Sequence, residues 1–182
     1  VTTVLAEIGP ILPAGTIIDL AVEPIPQLMD GYIHREGKTP PGGRNAGTSL
    51  AVAMVRMRDA FLAAGPRIRD AGFVPSIGMS IRPLVGDVDL PGAAFLDFVH
   101  NDWLMDAMVE GCIDDDFNGR CESSQPPAID RIGVTSYGVM HASRDVTTFG
   151  MPGWRPEHIL ARREFYATDF VPDPAHLRAV LA

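Results

Sequence analysis

Residues 48–82 read TSLAVAMVRMRDAFLAAGPRIRDAGFVPSIGMSIR, and the change of period inside this stretch decides the expected fold. In its first part Leu50, Met54, Met57 and Phe61 recur at helical spacing behind Thr48 or Ser49 as N-cap, with Gly65 as a C-terminal stop. In its second part Phe73 to Arg82 alternates loosely, which predicts a strand. Pro75 argues for an edge position or a bulge, because proline has no donor for a ladder hydrogen bond.

Toward the N-terminus, Gly15 to Val22 (GTIIDLAV) is a β-branched apolar run bounded by glycine and proline, and reads as a strand. A polar Gly/Pro-rich loop is expected from Glu23 to Gly47. Toward the C-terminus, Asp89 and Pro91 open a second long helix that runs to about Glu110. Beyond the acidic turn and Pro126-Pro127, strands are expected at Arg131 to Met140 and Asp145 to Phe149. A helix follows at Pro156 to Tyr166, and a short one opens at Asp173-Pro174. Strands and helices interleave, but few strands are long. The expected fold is a single α+β domain over residues 1–182, with a small mixed or antiparallel sheet, two long helices and several short ones. There is no internal repeat and no low-complexity tract.

The composition, 46% apolar in 182 residues, is enough for a core without disulfides or a structural metal. Twenty-three acidic against 15 basic side chains give a net charge of −8, and Lys38 is the only lysine. With no basic run to neutralise phosphates, neither a nucleic acid nor an anionic membrane is an expected partner. Glu7, Pro10 and Pro13 interrupt the apolar start, and no positive stretch precedes it, so Val1 to Ile18 does not read as a signal peptide. The expected location is the cytoplasm, where Cys112 and Cys121 stay reduced. Neither cysteine has C-x-x-C spacing, and neither is given a metal or nucleophilic role.

Three regions carry candidate chemistry. Asp114-Asp115-Asp116-Phe117-Asn118-Gly119 fits the first half of a calcium loop, in which alternate side chains converge on one ion. The candidate ligands are Asp114, Asp116, Asn118, the Arg120 carbonyl and Glu122. Gln125 stands where a bidentate glutamate belongs and two prolines follow, so a weak structural Ca2+ site is the most this loop offers. Its competitor is a plain turn closed by Asx hydrogen bonds. No other cofactor is expected.

On the second helix, Asp102, Asp106 and Glu110 form one row at 100° per residue, while Asp97, His100 and Asn101 fall in a separate arc. If the acidic row faces solvent, the arc faces inward. There His100 is the candidate general acid/base, Asp97 its orienting carboxylate and Asn101 a substrate contact. The third region, Thr135 to Arg144, adds Tyr137 and His141 on one face of a strand. Arg44, beside a glycine-rich loop and a helix N-terminus, and Arg144 are candidates for an anionic substrate group. The expected function is a hydrolase or lyase acting on a small anionic substrate by histidine acid/base chemistry. The alternative is a non-catalytic subunit that packs against copies of itself, such as a virion or scaffold protein.

Overall fold

The computed structural model describes residues 2–32, 47–86, 93–135, 140–142, 148–149 and 160–161. Three strands form its main sheet: β1 (Ile17–Val22), β2 (Val74–Ser80) and β6 (Arg131–Thr135). Their order is β1-β2-β6, and both pairings are parallel, with Ile17 opposite Val74 and Ser76 opposite Arg131. The sheet is thus parallel throughout rather than mixed or antiparallel. Long helical segments between successive strands allow the chain to return and run in the same direction, as a tight hairpin would not.

The first crossover holds two helices, α2 (Pro24–Tyr32) and α3 (Gly47–Asp70). Helix α2 occupies part of what reads as a loop. Pro24 stands at the first helical position, where a missing N–H costs nothing. Ile25, Leu28, Met29 and Tyr32 then follow helical spacing into the core. The second crossover is a helix, α4, over 93–110. It is built from the α-helical Ala93–Asp97 and Trp103–Met105 and the π-helical turns Phe98–Asp102 and Asp106–Glu110. It ends at Gly111, whose φ of 70° is left-handed. A methyl on Gly111 would sit 1.7 Å from the Gln125 carbonyl oxygen.

Gly65 does not end α3, which continues through Pro66 to Asp70. The buried line of α3 runs through Leu50, Met54, Arg58, Leu62, Gly65 and Ile68, with Met57 and Phe61 on its flank. Pro75 sits in the central strand. Its carbonyl accepts the Asp130 N–H at 2.9 Å. The two groups of one residue face the same neighbour in a parallel ladder, so the absent donor falls just before β6 begins.

The core joins α2, α3, β2 and α4 around Ile25, Leu50, Met54, Ile77, Met79, Leu96, Trp103 and Met108. Smaller pairings complete the described strands. β3 (Leu84–Gly86) runs parallel to β7 (Met140–Ala142), and β4 (Cys112–Ile113) pairs antiparallel with β5 (Ser123–Ser124). β8 (Thr148–Phe149) pairs antiparallel with β9 (Leu160–Ala161). Leu160–Ala161 is therefore extended where a helix over Pro156 to Tyr166 was expected, while the C-terminal helix from Asp173 lies outside the described residues. Among the described residues no helix is long and apolar enough to cross a membrane.

Candidate functional site

At the carboxyl end of β1 the chain turns from strand into helix within one residue, Glu23. Its N–H donates to the Gly78 carbonyl of β2 at 2.8 Å, and its carbonyl accepts the Gln27 N–H at 3.2 Å as α2 begins. That turn places Glu23 at φ 52°, a left-handed conformation, immediately before a proline. L residues with a Cβ avoid this region, and a following proline disfavours helical dihedrals further. Such a conformation costs on the order of 1–3 kcal/mol and persists where surrounding contacts hold it, often at a functional site. Thr135, the last residue of β6, is one such contact: its hydroxyl lies 3.0 Å from Glu23 Oε1. The carboxylate is half-buried. Three parallel strands thus converge at their carboxyl ends on one glutamate, through β1 itself, the Gly78 carbonyl of β2 and the Thr135 hydroxyl of β6.

Just beyond β2, a second polar cluster forms around Arg82. Asn101 Oδ1 accepts the Arg82 N–H at 3.0 Å, and Asn101 Nδ2 donates to the Arg82 carbonyl at 2.9 Å and to Asp97 Oδ1 at 2.6 Å. Because a backbone donor and a backbone acceptor fix the amide, its oxygen faces His100 Nδ1 at 3.0 Å. That nitrogen must carry the proton, which leaves Nε2 with a bare lone pair. Nε2 is buried and has no hydrogen-bond partner among the described residues. Burial, seconded by the Arg82 charge and opposed by the Asn101 hydrogen bond, pushes the imidazole down to about 4.

The expected arc is therefore gathered on the inner side of α4, with Asp102, Asp106 and Glu110 exposed on the other. Its connectivity differs from the expected one. Asp97 hydrogen-bonds Asn101 and reaches His100 only through that amide, because residues 98–102 form a π-helical turn whose wider pitch changes which side chains meet. His100 is only 1% exposed.

The acidic turn closes on itself. Asp114 accepts the N–H groups of Asp116 (3.1 Å), Asn118 (3.2 Å) and Gly119 (2.7 Å), and Asn118 Oδ1 accepts the Arg120 N–H at 2.8 Å. Asp115 turns toward Arg58 of α3, 2.5 Å from its Nη2. Of the expected ligand set of Asp114, Asp116, Asn118, Arg120 and Glu122, the three carboxylates are not grouped: among the described residues no three His, Cys, Asp or Glu side chains are placed to hold a metal ion together. The Asx-turn alternative accounts for the loop. Burial, together with a hydrogen bond that the thiol donates to Cys121, raises the neighbouring Cys112 to about 12, so thiolate is scarce there at neutral pH.

Arg44, Tyr137 and Arg144 lie outside the described residues. His141 is placed by its backbone alone, opposite Val85 in the β3–β7 pair.

No family model and no curated protein matches the chain. Solved structures do. A rice Os3BGlu6 β-glucosidase superposes with a TM-score of 0.57 at 18% identity, over 77% of this chain and 35% of that enzyme. A β-glucosidase from Exiguobacterium marinum gives 0.61 at 16% identity, over 89% and 38%. A Thermotoga maritima β-glucosidase in complex with deoxynojirimycin gives 0.55 at 14% identity, over 89% and 37%. The likeness is one of fold, to part of the TIM barrels of these glycosidases. The chain spans a little over a third of their length.

The strand ends where Glu23 sits are the face on which TIM-barrel enzymes carry their active sites. Glu23 was expected in a loop and instead joins a strand to a helix. The signal was there: Val22-Glu23-Pro24 follows directly on a strand, and helical spacing resumes at Ile25.

Proposed function

We propose that this chain is part of a glycoside-hydrolase barrel in which Glu23 is the general acid/base. The observation that carries the reading is a glutamate held in a strained turn at the carboxyl end of a parallel strand, with a hydroxyl from a second strand end on its carboxylate. The fold likeness to β-glucosidases supports a β-linked glycoside as the substrate class. In the forward step the Glu23 carboxylic acid gives its proton to the glycosidic oxygen as the bond from the anomeric carbon to that oxygen breaks. The leaving alcohol keeps that proton. Water then supplies a hydroxyl to the anomeric carbon and returns its other proton to Glu23. The opposing carboxylate that this chemistry uses would come from another strand end of the barrel.

Histidine acid/base chemistry on an anionic substrate is the weaker reading. It needs a ring that reaches substrate and exchanges protons near neutrality, whereas His100 is enclosed and titrates at about 4. The test is hydrolysis of aryl β-glucosides by the protein and by Glu23→Gln, which should lose at least about a hundredfold in kcat. Deoxynojirimycin should raise the wild-type Tm, as any ligand of the folded state does. Unchanged hydrolysis by Glu23→Gln would sink the assignment.

A further inference from the structure

Thr135 has one hydroxyl hydrogen and two acceptors in reach: Glu23 Oε1 at 3.0 Å and the Met79 carbonyl oxygen of β2 at 3.2 Å. A hydroxyl donates once and accepts through its lone pairs. We propose that Thr135 is the positioning residue for Glu23, a hydroxyl rotor that keeps the carboxyl hydrogen-bonded in both of its protonation states. The inference rests on the acid/base role given to Glu23 above.

With Glu23 ionised, Thr135 turns its hydrogen onto Oε1. With Glu23 protonated on its other oxygen, Oε2, which is left to serve the substrate, Oε1 is a weaker acceptor, and Thr135 shares its hydrogen between Oε1 and the Met79 carbonyl. The hydroxyl hydrogen swings while every heavy atom stays in place. A group that must be an acid in one half-reaction and a base in the next then needs no rearrangement of its surroundings, which is how preorganised sites avoid reorganisation during the chemical step. The scaffold suits the task. Met79 belongs to the central strand and is buried. Thr135 is braced by its own carbonyl, which accepts the Ile81 N–H at 3.1 Å just past the end of β2. A valine here would keep the shape and the strand preference but neither donate nor accept.

The experiment compares Thr135→Val and Thr135→Ser on two β-glucosides, one with a phenol leaving group and one with 2,4-dinitrophenol. Phenol needs protonation to depart and dinitrophenol scarcely does. Thr135→Val should lower kcat/KM, which reports the leaving-group step, about tenfold or more on the phenyl glucoside and change kcat/KM on the dinitrophenyl glucoside far less. Thr135→Ser, which restores the hydroxyl, should return most of the loss. Tm is measured alongside, and if Thr135→Val does not fold, Thr135→Ala takes its place. Equal slowing on both substrates, no slowing, or failure of serine to rescue would overturn the role of Thr135 while leaving Glu23 in place. If the wild type cleaves neither glucoside, or if Glu23→Ala cleaves both at the wild-type rate, the Glu23 reading falls and the rotor falls with it.

Discussion

At the scale of single residues, Glu23 and His100 sit in opposite environments. Glu23 is strained, half-buried and hydrogen-bonded through its carboxylate. His100 is enclosed, single-tautomer and hard to charge. The difference has a measurable sign. An unfolded histidine titrates near 6.5 and His100 near 4. The unfolded state therefore binds more protons between these values, and native stability, fully present above pH 6.5, is lost as pH falls toward 4. The difference amounts to about 3 kcal/mol over that interval. Urea unfolding of wild type and His100→Gln at pH 7 and pH 4.5 reads it directly. The wild type should lose about 2–3 kcal/mol more than the variant between the two. Equal losses would mean that the ring opens to water. The sequence wheel brought Asp97, His100 and Asn101 to one face, but no periodicity could say that the amide, rather than the carboxylate, meets the ring. That depends on the π-helical turn.

At the scale of elements, what was legible followed period, and what was missed followed proline and glycine. The face of α3 was readable from Leu50 and Met54 because helical spacing governs burial there. Gly65 reads as its end, yet it serves close packing: a methyl on it would sit 1.9 Å from the Ala128 carbonyl oxygen. Backbone cannot yield as a side-chain tip can. Alanine is the better helix former by about 1 kcal/mol, but overpacking against backbone costs up to about 3 kcal/mol, so Gly65→Ala should destabilise by about 2 kcal/mol. Chemical denaturation settles the sign, and a variant as stable as wild type would show that the segment around Ala128 moves freely. Pro24 and Pro26 likewise hid α2, and with it the fact that Glu23 sits at a strand-to-helix turn. Parallel pairing was illegible for another reason: it depends on how crossovers return, which no local window contains.

At the scale of the whole molecule, one buried cation ties together parts that the sequence keeps far apart. Arg58 lies in the middle of the apolar line of α3. It donates to the Asp114 carbonyl at 3.1 Å and to Asp59 at 2.8 Å, reaches Asp115, and lies 5.5 Å from the centre of the Trp103 ring. Trp103 donates to the same Asp114 carbonyl at 2.8 Å and stacks on Phe117, with ring centres 4.7 Å apart. Phe117 is itself held at φ 56°, which a bulky residue adopts only under such constraint. Burial draws the Arg58 guanidinium down, but hydrogen bonds and charge from Asp59 and Asp115 outweigh it and leave the group raised. Its carboxylate partners are about half exposed, so the ion pairs themselves contribute little. The larger share comes from the buried hydrogen bond to Asp114, the contact with Trp103 and the enclosed stem of the side chain. Removing them together in Arg58→Ala should cost about 3 kcal/mol. Lysine would keep the charge without the planar fork or the flat face for Trp103, so Arg58→Lys should recover less than half of that loss. A double-mutant cycle of Arg58→Lys with Trp103→Phe should then show coupling of about 1 kcal/mol. Additive losses would mean that α3 and the acidic turn are joined by packing alone.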